Sequence, residues 1–247
     1  MSHVLQVADV FGAFGGAFDF LTSPQPSEFA ATGHGEVGGP AEVLDKLFVH
    51  LKVSGAAFAL SVLVALPVGV WLGHRGRGEG LAIAVGNAGR AIPELALIAF
   101  LVAFVGFGFL NVTIALAVLG VPPILTNSFV GITQVDRNAV EAARGMGMSG
   151  WEVVRKVELP LAVPTIFTGL RTAAINIIAT ATIAILAGQE TLGDFIINSN
   201  VYGDDGVLAG AIVVAALAIS VELILAGIQR LLTPRGLALQ RAAAASA

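Results

Sequence analysis

Glu141–Pro160, EAARGMGMSGWEVVRKVELP, is a charged, glycine-punctuated island between long apolar runs. Asp136 stands where it can cap a helix running through Glu141, Ala142 and Ala143. Gly147 then offers the positive backbone dihedral that ends a helix at little cost. Ser149 with Glu152 three residues later reads as a capping box opening a second short helix, which Leu159-Pro160 is expected to stop before the next apolar run. The stretch therefore predicts a compact knob of two small helices joined at a glycine. Gly145-x-Gly147-x-x-Gly150 also fits the dinucleotide fingerprint, which needs a strand before it, a helix after it and an acidic residue about twenty positions on. A helix precedes it instead, and the downstream distance lands near Arg171. The remaining alternative is a solvated loop with no further role.

Outward from the island the chain is apolar. Of 247 residues 56% are hydrophobic and only 12% charged, with a mean hydropathy of +0.86; a soluble domain is about 25% charged. An all-α integral membrane protein is expected. The net charge of −4 and the absence of a basic tract exclude nucleic acid as a partner. With no cysteine, disulfides and thiolate chemistry are excluded. The four histidines (His3, His34, His50, His74) have no metal-ligand spacing. No Lys or Arg precedes Lys46, so the start lacks the basic region of a cleavable signal peptide.

About five spans are expected. Residues 1–45, Gly- and Phe-rich with Pro24, Pro26 and Pro40, read as an extracytoplasmic or interfacial arm, joined through the Gly-rich link Thr32–Gly39 to a core at 46–236. Ser54–Leu72 is uncharged and just long enough for a ~30 Å hydrocarbon layer. Leu81–Ala91 is amphipathic, and Pro93-Glu94 suits the start of a helix reaching about Val105. Gly106-Phe107-Gly108 turns the chain into a third span, Val112–Gln134, interrupted by Pro122-Pro123. Thr172–Ala187 is the fourth and Val207–Ile228 the fifth. Between these two, a polar, acidic segment contains Phe195-Ile196-Ile197, a re-entrant or surface helix. An Ala-rich cytoplasmic tail, 237–247, closes the chain.

With an external N-terminus, eleven of the thirteen Lys and Arg fall on the cytoplasmic side or its flank: Arg75, Arg77, Arg90, Arg137, Arg144, Arg155, Lys156, Arg171, Arg230, Arg235 and Arg241. Only Lys46 and Lys52 fall outside. The positive-inside rule then puts the island, taken as 135–163, in the cytoplasm.

No catalytic constellation is present. The phosphate loop G-x-x-x-x-G-K-[ST] is absent, without even a Gly-Lys pair, so the chain is not expected to hydrolyse ATP. Glu94 suits helix capping better than substrate contact. Glu222 lies within an apolar span, at a depth that calls for pairing with Arg171 or snorkelling to the inner interface, against a substrate role. Asn127, Ser128, Asn176, Thr180 and Thr182 are candidates to line a path with Glu222, or equally hydrogen-bond glue between helices. Gly206-x-x-x-Gly210 hints weakly at close helix packing.

Glu141-Ala142-Ala143, Gly147 and Val157-x-Leu159-Pro160 resemble the cytoplasmic loop of permease subunits of type I ABC importers with the methionine-permease-like fold, with Val157 where isoleucine is usual. Arg90-x-Ile92-Pro93 resembles the entrance to a helix of the same family. The resemblance implies coupling to a separate ABC ATPase through Glu141, Ala142, Ala143, Gly147, Met148, Trp151, Leu159 and Pro160. It implies no cofactor in this chain, ATP and Mg being bound by the ATPase. It also implies an extracytoplasmic substrate-binding protein, a second permease chain (identical or homologous) and a bacterial or archaeal plasma membrane. Residues 141–171 and Ala179-Thr-Ala-Thr…Leu192-Gly193-Asp194 look like the quaternary-amine subgroup, importers of glycine betaine, carnitine, choline or proline betaine. Gly188-Gln189-Glu190-Thr191 departs from that subgroup's glycine-richer run. A quaternary ammonium is held best by an aromatic cage, yet Trp71 and Trp151 fall on the cytoplasmic side, so selection is assigned to the binding protein. A methionine or other amino-acid permease is the alternative substrate class. A stand-alone secondary transporter would show an internal repeat around a midplane site, and a membrane anchor would not need polar-dotted spans.

Overall fold

The computed structural model describes residues 2–27 and 35–234. The tail 237–247, Arg235, Arg241, His34 and the first part of the 32–39 link lie outside the described residues, as does the side chain of Arg90.

Helix α1 spans Ser2–Thr22; strands β1 (Pro24–Pro26) and β2 (Glu36–Gly38) pair antiparallel with Gln25 opposite Val37. The stretch expected as an arm thus contains a helix, and the boundary set at 45/46 falls inside α2, Gly39–Arg75. At 1.5 Å per residue α2 is roughly 55 Å long, well beyond the 54–72 window, because its first turns are amphipathic rather than apolar and hydropathy alone does not mark them. Then come α3 (Glu79–Ala91), α4 (Glu94–Val105) and α5 (Phe109–Thr133). Gly106 and Gly108 both have positive φ, making the expected turn.

The expected interruption at Pro122-Pro123 is absent: α5 runs through both prolines. Helix α6 is Arg137–Gly145 and α7 Gly150–Val153, followed without a break by a π turn, Val154–Glu158, and α8, Leu159–Thr180. The last part of that helix tightens to a 3₁₀ turn, Ala181–Ala187. Helix α9, Gly193–Ile197, is the expected short helix, with Phe195 wholly buried and Ile197 exposed. Helix α10, Ser199–Leu232, bends at Gly203, whose φ of 66° and ψ of −179° are not helical.

Among the described residues four helices are long and apolar enough to cross a membrane: α2, α5, Gly150–Ala187 and α10. Counting Glu79–Gly89 with Glu94–Val105 as one broken span makes five, the number expected.

The chain forms two compact units, each discontinuous in sequence. The first comprises Met1–Ala56, Glu94–Leu116 and Ile178–Ile219. Its core joins Ala17 and Phe20 of α1 to Val37, Leu192, Phe195, Tyr202 and Ala209. Phe195 meets Phe20 and Tyr202 edge to face, with ring centroids 5.3 and 4.9 Å apart. Gly206 and Gly210 of α10 lie against Phe20 and Phe195, a close packing that a side chain would block. Beside this cluster Lys46 is buried and ion-paired with buried Asp194. The Tyr202 hydroxyl lies 3.0 Å from Asp194 Oδ2 and 3.1 Å from Glu42 Oε1. Removing one partner of such a buried pair strands the other charge, at a cost of about 3–5 kcal/mol.

The second unit comprises Ala57–Pro93, Ala117–Ile177 and Ser220–Ala247. Its core centres on Ala65, Leu72, Ile124, Phe129, Ile132, Ile166 and Leu170. Helices here approach through small residues, as packing in membranes requires. A Cβ on Gly69 would fall 2.7 Å from the Leu125 carbonyl oxygen and from Ser128 Cβ, and one on Gly73 2.8 Å from Ile132 Cβ.

Candidate functional site

The 135–163 stretch lies within the second unit and folds locally as its sequence demands. The Asp136 side chain accepts from the Asn138 N–H at 2.9 Å, opening α6. The Gly147 N–H donates to the Arg144 carbonyl at 2.9 Å and the Met148 N–H to the Ala143 carbonyl at 3.2 Å. With Gly147 at φ 85°, that pair of bonds is a Schellman motif. Ser149 opens α7 with both halves of the capping box. Glu152 also meets Lys156 at 2.9 Å, and this lysine, then the Ser149 N–H and hydroxyl, hold its carboxyl below the usual range.

The knob has two sides. Ala143, Val153 and Val154 are buried in the unit, whereas Met146 and Trp151 are 72% and 69% exposed. Glu141, Ala142 and Gly147 are exposed as well, and Met148 half-buried. The inner residues anchor the knob while the outer ones present a protruding apolar tip.

One expectation fails here. Leu159-Pro160 does not stop the second helix, which passes continuously into α8. Pro160 has no N–H to give to a carbonyl one turn back, and its ring crowds that carbonyl in an α-helix. The chain answers with the π turn just before it, where the Leu159 N–H reaches back five residues to the Val154 carbonyl. Leu159 meanwhile packs on the core of the unit.

Sequence reasoning passed over two residues at this turn. Glu158 is buried, and its Oε2 lies 2.7 Å from Nδ1 of His74 in the last turn of α2. The only signal was a carboxylate immediately before Leu-Pro at the edge of an apolar run. A polar cavity of about 390 Å³ beside the pair is lined by Arg75, Arg137, Glu141 and Arg144, among others.

The candidate pathway residues divide between the units, Asn127, Ser128, Asn176 and Glu222 in the second and Thr180 and Thr182 in the first. The Asn127 amide donates to the Pro123 carbonyl on its own helix, and Thr182 to the Ala179 carbonyl. Ser128 is fully buried against Gly69, and Asn176 is exposed. The Thr180 hydroxyl donates to Glu94 Oε2 at 2.9 Å within the first unit. Glu222 pairs with Arg171, as expected: Arg171 Nε donates to Oε1 at 2.7 Å, and Nη1 reaches Gln229 Oε1 at 3.2 Å.

Residues 65–236 match the model of a protein family described as "Binding-protein-dependent transport system inner membrane component". The chain belongs to that family. The permease is 41% identical over 197 residues to the glycine betaine/carnitine/choline transport system permease protein OpuCB of Bacillus subtilis (strain 168), covering 79% of this chain and 91% of the relative. It is likewise 41% identical over 197 residues to the choline transport system permease protein OpuBB of the same strain, with the same coverage. To the carnitine transport permease protein OpuCB of Listeria monocytogenes it is 39% identical over 196 residues, 79% and 90% of the two chains. Among solved structures, an inward-facing form of the MetNI methionine ABC transporter superposes with a TM-score of 0.66 at 21% identity, covering 78% of this permease and 96% of that chain. An amino acid ABC transporter with histidines superposes at 0.56 and 20% identity, covering 77% and 92%. These two likenesses establish the fold: the permease has the architecture of type I ABC importer membrane subunits.

Proposed function

We propose that this permease is the membrane subunit of an ATP-driven importer of quaternary-amine osmoprotectants, the class of glycine betaine, carnitine, choline and proline betaine. The observation that carries the reading is the 41% identity to a betaine, carnitine and choline permease along nine-tenths of that relative. The methionine alternative rests on solved structures only 21% identical, a likeness of fold.

In this reading the N-terminus lies outside and the C-terminus in the cytoplasm of a bacterial or archaeal cell. A separate ABC ATPase binds ATP and Mg, an extracytoplasmic binding protein selects the cargo, and a second permease chain completes the pathway. The exposed tip formed by Met146 and Trp151, with Glu141, Ala142, Gly147 and Met148 around it, seats in the ATPase. The buried side, Ala143, with Leu159 and Pro160 behind it, transmits the movement. Moving an inward-open to outward-open equilibrium from 1:99 to 99:1 takes about 5.5 kcal/mol of differential interaction, which a capped, anchored knob can carry and a loose loop cannot.

The test is reconstitution of the permease in proteoliposomes with an ABC ATPase and a binding protein from the same organism. ATP-dependent uptake of labelled betaine or choline that requires the binding protein supports the reading. Uptake of methionine with none of a quaternary amine overturns it.

A further inference from the structure

We propose that His74 and Glu158 are positioning residues for transport: together they form the strut through which movement of the α6–α7 knob reaches the end of α2. The proposal rests on the functional reading above and assigns a role in it to residues outside the knob.

Four observations converge on the strut. The His74 Nδ1 to Glu158 Oε2 contact is 2.7 Å, with the Glu158 side chain only 6% and the His74 side chain 21% exposed. The other edge of the same imidazole faces the start of α7, since a Cβ built on Gly150 would stand 3.5 Å from His74 Nε2. One ring therefore bonds to the last residue of the 150–158 segment and stands close to its first. That segment contains the π turn, whose Leu159 N–H to Val154 carbonyl bond spans five residues instead of four, and π turns of this kind occur as single wider turns at functional sites. Finally, Glu158 is the last residue of the π turn and His74 the second last of α2, so the contact joins the most deformable point of one helix to the terminus of another.

The mechanical consequence follows from where deformation is cheapest. A push on α7 meets a wide turn before it meets α8, and an unbraced wide turn would absorb the displacement. With Glu158 held by His74, the same push shifts the end of α2. With Nδ1–H donating to a carboxylate the contact is charge-assisted through its acceptor alone, so the strut does not need a charged imidazole.

The experiment measures ATP hydrolysis and labelled-betaine uptake side by side in the reconstituted transporter, giving ATP consumed per molecule carried. The variants are His74→Ala, Glu158→Ala, Glu158→Gln and the exchange His74→Glu with Glu158→His. Losing the strut should lower uptake about tenfold or more, the scale of one hydrogen bond to a charged group, while binding-protein-stimulated hydrolysis falls far less. Glu158→Gln, which keeps an acceptor for Nδ1, and the exchange should each recover uptake relative to the alanine variants. Hydrolysis and uptake falling in parallel, uptake unchanged in both alanine variants, or no recovery in Glu158→Gln and the exchange overturns the strut. Should His74→Ala fail to assemble, Glu158→Gln against Glu158→Ala carries the same comparison. Absence of amine uptake by the unsubstituted transporter counts instead against the functional reading.

Discussion

Replacing Gly147 isolates a single physical term in the coupling knob. Its φ is 85°, and a Cβ built there meets no atom within 4 Å. Within this chain a Cβ at this position therefore meets nothing, and the cost of adding one is that of the left-handed backbone, about 1–2 kcal/mol for an ordinary L-residue. The strain acts on the Schellman bonds from Gly147 to Arg144 and from Met148 to Ala143, which set the angle between α6 and α7. One to two kcal/mol corresponds to roughly a 5–30-fold shift between the docked geometry and alternatives. Asparagine tolerates this region better than other residues, so the expected order is Gly147, then Asn, then Ala. The absence of cysteine makes the assay clean: a single Cys replacing Met146 reports crosslinking yield to the ATPase, alongside uptake normalised to permease in the membrane. Crosslinking and uptake that ignore residue type, or an Asn variant that does no better than Ala, would refute the reasoning, since either denies the backbone strain.

Ser149→Ala removes one cap of α7 at a cost of about 0.5–2 kcal/mol; amide exchange at Trp151–Val153 should quicken while α8 stays protected, and unchanged exchange counts against the capping account. Arg171→Leu strands Glu222 in an apolar span, so it should lower the melting temperature in detergent more than Arg171→Leu with Glu222→Leu does; equal or reversed shifts dismiss the pair as a structural tie. Glu94→Gln keeps an acceptor for the Thr180 hydroxyl and should transport normally, whereas Glu94→Leu should not. Loss of uptake in the Gln variant would show that the charge itself contacts cargo.

The knob was legible in the sequence because its determinants are local. Asp136, Gly147, Ser149 and Glu152 each act on backbone groups within five residues, and such motifs carry their geometry with them. Arg171 and Glu222 were also legible as a pair, though 51 positions apart, because a lone charge within an apolar span needs a partner and few were available. The pairing of Lys46 with Asp194, 148 positions apart, was not. Either charge alone reads as an ordinary loop or helix-end residue, and only the packing of Phe20, Phe195 and Tyr202 around them turns that part of the unit into a buried site.

The prolines mark the limit of local rules in this protein. Pro122-Pro123 and Pro160 would each break a helix in water, where freed carbonyls find solvent and the kinked chain loses little. In this bundle α5 nevertheless runs through both prolines, under close packing: Gly169 presents no side chain where a Cβ would stand 2.5 Å from the Pro123 carbonyl oxygen. At Pro160 the π turn redistributes the bonds instead. The difference bears directly on coupling. A true stop at Leu159-Pro160 would leave the knob on a flexible tether, able to dock without pulling. In the proposed coupling, a continuous helix from Gly150 into the span makes docking and movement of α8 one event, and the proposed His74–Glu158 strut braces it at the π turn.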